Sequence, residues 1–161
     1  MKRRRLLQAG IAACLLSAIQ LRPLTAAQDK IVPLMLSEEE WRKRLTEQQF
    51  HILREEGTER PWSSPLNDEK RAGVYVCAGC DLPLFESEKK YNSGTGWPSF
   101  WDAIPGHIDT KIDFKIFYPR TEYHCARCGG HQGHVFNDGP APTGKRWCNN
   151  GLALKFLPTE S

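Results

Sequence analysis

Six cysteines carry most of the chemistry available to this sequence, and their spacing sorts them. Cys77-Ala78-Gly79-Cys80 and Cys125-Ala126-Arg127-Cys128 are two C-x-x-C knuckles. Each offers two thiolates at ~2.3 Å to a tetrahedral metal, so together they supply the four sulfur ligands of a structural Zn²⁺ site. Two other readings stay open. The knuckles are disulfides, which an oxidising compartment permits, or a redox dithiol, although neither opens a helix in a βαβ unit. Cys14 lies in an N-terminal segment with the marks of an export signal and leaves with it.

Cys148 is then the thiol without a partner. If Arg146-Trp147-Cys148-Asn149-Asn150 is extended, Arg146, Cys148 and Asn150 project from one face. A guanidinium beside a thiol favours the thiolate, which is the nucleophilic form. Asn150 adds a donor and an acceptor near whatever the sulfur attacks. The alternative is a buried, inert cysteine.

His131 and His134 sit three apart among glycines. Beside a nucleophilic Cys they suit proton delivery near neutral pH; a surface pair or a second metal site is the other reading. In Ser93-Gly94-Thr95-Gly96-Trp97-Pro98, the glycines flank a Trp-Pro step. A tight loop there displays the Trp97 indole as a pocket wall, or plugs it into the core.

Short elements must position these groups. Ser37-Glu38-Glu39-Glu40 and Thr46-Glu47-Gln48-Gln49 are capping boxes. They predict helices over 38–44 and 47–56, with Gly57 closing the second. Trp41, Leu45, Phe50 and Leu53 are the apolar contacts these helices offer to a core. From Val74 onward, β-favouring runs alternate with Gly, Pro, Asn and Asp: 74–76, 111–118, 122–124, 134–136 and 152–156. No helical crossover of the kind a parallel sheet needs separates them. The fold expected is mainly antiparallel β with two short helices in front.

The chain has 161 residues, 40% hydrophobic and 25% charged, a balance that suits one globular domain rather than a disordered chain. Lys2-Arg3-Arg4-Arg5, the apolar run Leu6 to Ile19 and the small residues before Gln28 read as an export signal cleaved near Ala27. The paired arginines and the modest apolar run also fit a twin-arginine signal. An uncleaved anchor and a lipoprotein box ending at Cys14 are the alternatives. Residues 28–36 read as a linker and 37–158 as the working domain, with a periplasmic destination. Five of the 22 basic residues precede Gln28 and none of the 19 acidic ones does, so the remainder is weakly acidic, about −2. That argues against nucleic acid or an anionic membrane as a partner.

Taken together, the motifs resemble those of the B-type methionine sulfoxide reductases, the peptide-methionine (R)-S-oxide reductases. Thr58-Glu59-Arg60-Pro61, the Cys77/Cys80 knuckle, Ser93 to Phe100, Cys128 to Phe136 and Arg146 to Phe156 carry the resemblance, in family order over nearly all of residues 37–158. It implies two packed antiparallel β-sheets and one structural Zn²⁺ held by Cys77, Cys80, Cys125 and Cys128. It implies Cys148 as the catalytic nucleophile, Trp97 against the substrate methyl group, and His131 and His134 in the active site. Asn150 matches a polar position of the family motif, and Arg146 is ranked after these, as a support of the thiolate or of the strand. Oxidised proteins are the implied substrates. The sulfenic acid left on the enzyme is expected to be reduced by a thioredoxin-like protein or a small thiol. Many relatives place a resolving Cys where this chain has Thr95, and Trp147 and Gln132 also depart from commoner family residues. The mature protein is taken as a monomer. A zinc-stabilised β module that only binds partners, and a general thiol–disulfide oxidoreductase, are the competing functions; the first leaves Cys148 and the histidines without a task.

Overall fold

The computed structural model describes residues 30–114 and 118–159. The expected export signal lies outside them.

Both capping boxes form. The Ser37 hydroxyl accepts from Glu40 N–H while the Glu40 carboxylate takes the Ser37 N–H, and Thr46 and Gln49 repeat the exchange. They open α1 (Glu38–Arg44) and α2 (Glu47–Glu55). The residue that closes α2 in the left-handed region is Glu56 (φ 56°), not Gly57, whose N–H bonds back to His51 O at 2.9 Å. Trp41, Leu45, Phe50 and Leu53 are all buried, as the helical spacing requires, with Ile52 beside them. Residues 30–36 form no helix or strand, yet Leu34 N–H bonds to Arg127 O at 2.7 Å, and Ile31, Leu34 and Leu36 rest on the core.

Among the described residues nine strands follow: β1 (Gly73–Cys77), β2 (Pro83–Glu86), β3 (Lys90–Tyr91), β4 (Ser99–Phe100), β5 (Ile108–Asp113), β6 (Arg120–Cys125), β7 (His131–Phe136), β8 (Arg146–Asn149) and β9 (Leu154–Pro158). They make two antiparallel sheets, ordered β2-β1-β9 and β3-β4-β8-β7-β6-β5. Where a run was expected at 111–118, a strand starts earlier, at Ile108, and ends at Asp113; residues 115–117 of that run lie outside the described residues. The expected run at 152–156 begins instead with a 3₁₀ turn, Gly151–Ala153, before β9. β2, β3 and β4 carry no alternating pattern in the sequence.

Aromatic rings fill the space between the sheets. Phe85 stacks on Phe100 with centroids 4.1 Å apart, Tyr75 meets Phe100 edge-on at 4.9 Å, and Tyr123 meets Trp147 edge-on at 5.0 Å. Such pairs add specific geometry to the area they bury. No described helix is long and apolar enough to cross a membrane.

Candidate active site and metal centre

The knuckles converge. Each is a turn closed by a backbone bond, Asp81 N–H to Cys77 O (2.9 Å) and Gly129 N–H to Cys125 O (2.8 Å), with Asp81 and Gly129 both left-handed. All four sulfurs lie within 4.8 Å of one another, and all four cysteines are buried. Cys77 Sγ is 3.6 Å from Cys128 Sγ, and Cys80 Sγ is 3.4 Å from Cys125 Sγ. Those separations are far beyond the ~2.05 Å of a disulfide. They approach the ~3.8 Å edge of a tetrahedron built from ~2.3 Å metal–sulfur bonds. The donor set and its geometry therefore fit a tetrahedral metal. Arginines hold the turns in place: Arg44 donates to Gly79 O, Arg54 to Cys128 O and Arg127 to Cys80 O.

Cys148 stands apart, half-buried on β8. Register places it opposite His134 of β7 on one side and Ser99 of β4 on the other. In an antiparallel pair, opposed residues share a face, so thiol, imidazole and hydroxyl are brought together by pairing alone. Gly133 permits the close approach of β7, since a Cβ there would run into Cys148 O at 2.0 Å. A cavity of about 120 Å³ opens over the thiol, lined by Thr58, Trp97, His134, Phe136 and Asn150 among others.

A chain of hydroxyls reaches the sulfur. Ser99 and Ser93 are hydrogen-bonded at 2.7 Å, Ser93 and Thr95 at 2.8 Å, and Thr95 Oγ1 lies 4.0 Å from Cys148 Sγ. Burial nevertheless pushes the Cys148 thiol above the ordinary range, outweighing the downward pull of Arg146 and of these hydroxyls. Arg146 is largely committed elsewhere: its guanidinium grips Asp138 with two 2.8 Å bonds and lies over the Phe136 ring.

The histidines divide. His134 lines the cavity and donates from Nε2 to Asp113 Oδ2 at 2.8 Å, while Arg120 pairs with the same oxygen at 2.7 Å. His131 is buried behind it, the ring centroids 5.7 Å apart, and its Nδ1 donates to Glu122 Oε1 at 2.5 Å. Burial holds both imidazoles below their usual range, against the raising influence of Asp113 and Glu122. His124 donates to the same Glu122 oxygen at 2.8 Å, and Lys111 approaches the other at 3.3 Å. Glu122, His124 and His131 thus cluster with metal-like spacing, but hydrogen bonds and the lysine already satisfy the carboxylate.

Trp97 and Asn150 meet through Glu59. The Trp97 indole N–H donates to Glu59 O at 3.1 Å, and Glu59 N–H donates to Asn150 Oδ1 at 3.1 Å. Asn150 Nδ2 donates to Gln132 O, also at 3.1 Å. Both ends of the Asn150 amide are therefore occupied by backbone. The Glu59 carboxylate takes Gly151 N–H (2.6 Å) and Leu152 N–H (3.1 Å). Residues 58–60 become a strap over the cavity. A larger cavity, about 680 Å³, lies across that strap against α2 and contains no thiol.

The comparisons with known proteins agree with this geometry. The SelR domain family matches residues 45–158. Peptide methionine sulfoxide reductase MsrB of Methanosarcina barkeri is 54% identical over 125 residues, 77% of this chain and 88% of its own. The chain belongs to the SelR-domain, MsrB family. A second MsrB relative, from Bradyrhizobium diazoefficiens, is 51% identical over 131 residues, 81% of this chain and 92% of its own. Peptide methionine sulfoxide reductase B1, chloroplastic, of Arabidopsis thaliana is 54% identical over 126 residues, 78% of this chain, but only 62% of the plant protein is covered.

Within this MsrB domain, the register brings Cys148, His134, Trp97 and Asn150 around one cavity, sets His131 behind His134, and turns Arg146 towards Asp138. Sequence reasoning missed Asp113, Arg120, Glu122, Ser93, Ser99 and the carboxylate of Glu59. Asp113 and Glu122 carry a signal only once the strand register is known, because each is far in sequence from the histidine it holds. Thr58-Glu59-Arg60-Pro61 was visible as a motif, but its part as a strap was not.

Proposed function

We propose that the protein reduces the R epimer of methionine sulfoxide, in oxidised proteins and in the free amino acid, through a sulfenic acid on Cys148. The observation that carries this reading is the cavity over Cys148, where a lone accessible thiol faces His134 across paired strands. The names of the MsrB relatives support the substrate class. At about 120 Å³ the cavity is sized for one side chain rather than a folded surface, which suits a methionine sulfoxide presented by a longer polypeptide.

Burial favours the neutral thiol and the neutral imidazole in the free protein, so the thiol brings its own proton. Cys148 sulfur attacks the sulfoxide sulfur as its proton passes through His134 to the sulfoxide oxygen. The S–S bond so formed makes methionine sulfur a sulfonium as its S–O bond breaks and hydroxide leaves. Hydroxide then adds to Cys148 sulfur and breaks the S–S bond, so methionine sulfur has gained two electrons and Cys148, now the sulfenic acid, has lost two. With Nε2–H fixed on Asp113, Nδ1 is the His134 nitrogen left to move this proton. Arg120 and Asp113 hold the ring, and Glu122 and His131 back it. Asn150 acts by holding the strap, and Trp97 by presenting an indole edge to the methyl group, which selects one epimer.

The sulfenic acid is then reduced by a thioredoxin-like protein or a small thiol. In support, the loop beside Cys148 carries Thr95, its hydroxyl 4.0 Å from the sulfur, and the other described cysteines are buried in the cluster. One Zn²⁺ bound by Cys77, Cys80, Cys125 and Cys128 would tie the β1–β2 turn to the β6–β7 turn. Residues 1–27 direct export to the periplasm; an N-terminus at Gln28 in protein recovered from that compartment is the expected result.

Single-turnover release of methionine, with no reductant, tests the proposal. About one equivalent from the R epimer and none from the S epimer is expected, as one thiol supplies one two-electron reduction. Release of none from reduced, metal-loaded protein would overturn it.

A further inference from the structure

Gln132 is the residue that touches both centres. It lies on β7 directly after His131 and is fully buried. Its Nε2 is 3.4 Å from Cys77 Sγ and 3.4 Å from Gly130 O. Those two acceptors fix which end of the carboxamide is nitrogen, because the reverse orientation would set an oxygen against a sulfur and a carbonyl. The remaining atom, Oε1, is buried without a partner. An apolar side chain of the same size would leave no orphaned oxygen there, so the distinctive contribution of this amide is the hydrogen it directs at Cys77. Among the described residues, no other side-chain N–H donates to a knuckle sulfur. The backbone of Gln132 meanwhile holds the catalytic side: its O accepts from Asn150 N (2.8 Å) and from Asn150 Nδ2 (3.1 Å).

We propose that Gln132 is a positioning residue of the metal centre, donating an N–H···S hydrogen bond to the Cys77 thiolate that fixes this ligand and blunts its reactivity towards oxidants. The proposal rests on the reading of the four cysteines as a metal site. Groups that hydrogen-bond a ligand orient it and tune its basicity. Here the tuning has a chemical purpose, because sulfoxides arise where peroxides are present. A metal-bound thiolate attacks peroxide, forming S–O while O–O breaks and hydroxide leaves. The sulfenic acid then meets a neighbouring thiolate, S–S forms, a second hydroxide leaves and the metal is lost. Two sulfurs have given one electron each to the peroxide. Drawing density from the Cys77 lone pair slows the first of these steps.

The direct test is the wild-type protein loaded with ¹¹³Cd. The Gln132 side-chain amide proton is expected to show scalar coupling to cadmium across the hydrogen bond, and to lose that signal in Gln132→Met. Cysteine β-protons coupled to cadmium without any coupling at Gln132 would overturn the proposal while leaving the metal site standing. Protein that takes up no cadmium would overturn both. The second test is Gln132→Leu, which keeps volume and removes the donor. Zinc release under hydrogen peroxide should be about 10-fold faster, and the thiolate-to-metal band of the cobalt form should move to longer wavelength. A folded variant with unchanged release and an unchanged band refutes the idea. If the variant does not fold, the wild-type cadmium spectrum still decides.

Discussion

Four sulfurs at the β1–β2 and β6–β7 turns face one another, buried, 3.4 and 3.6 Å apart across the knuckles. On β8 a fifth faces a cavity, with a hydroxyl 4.0 Å away and an imidazole on the facing strand. The element is the same and the two surroundings ask for opposite behaviour. Ligands need mutual approach and exclusion of water, with a cation to balance their charge. A nucleophile needs access, and polar neighbours that handle one proton. Burial raises the Cys148 thiol and outweighs the pull of the Arg146 guanidinium, which Asp138 already holds, so the neutral thiol is favoured.

The sharpest way to separate the two regions is to remove one sulfur from each. Cys148→Ser should lower single-turnover methionine release by at least about 10³-fold, with melting changed by no more than a few degrees, as checked by calorimetry. Cys125→Ser should do the reverse to the fold: metal is lost and melting falls by roughly 10 °C or more, or the domain fails to fold, because structural metal contributes folding energy. Wild-type melting in that variant would dissolve the distinction.

A smaller effect probes how the proton is managed on the catalytic side only. Asp113→Asn weakens the hold on His134 Nε2 and should slow methionine release about 10²-fold with little change in KM, leaving metal content at one per chain. The smallest concerns charge. Cys148 is neutral at low pH and reactive as the thiolate, and burial raises its titration, so alkylation by iodoacetamide should climb with pH through a midpoint above the ordinary thiol range. Arg146→Met removes a cation that favours the thiolate; the midpoint should move higher and alkylation at pH 7 should slow by roughly 2- to 5-fold. A midpoint that stays put or falls on this substitution would mean that the guanidinium does not stabilise the thiolate.

Much of this was legible because the signals were local. Ser37/Glu40 and Thr46/Gln49 mark their own helices, and the C-x-x-C spacing is a property of one turn. The period-two placement of Arg146, Cys148 and Asn150 needed only an extended backbone. What escaped was set by register. Asp113 meets His134 across β6, and Glu122 meets His131 across a bulge between Tyr123 and His124; neither pairing has a periodicity to read. β3 and β4 are two residues long, too short to alternate, and are defined by pairing alone, β4 on β8 and β3 on β4. The end of α2 was misread because Glu56 takes the left-handed turn that Gly57 was better suited to accept.

The strap has a consequence for how the protein comes into being. Its bonds to Asn150, Gly151 and Leu152 join residues 91 to 93 positions apart, and β1 pairs with β9 along its whole length. Long loops close late, because the chain entropy lost is recovered only when distant partners meet. The knuckles can be complete once Cys128 has left the ribosome, whereas the wall over Cys148 waits for Leu152. Every cysteine of the cluster thus precedes in synthesis the residues that anchor the strap, and the thiol can acquire its roof only after the sulfurs of the cluster are already in the chain.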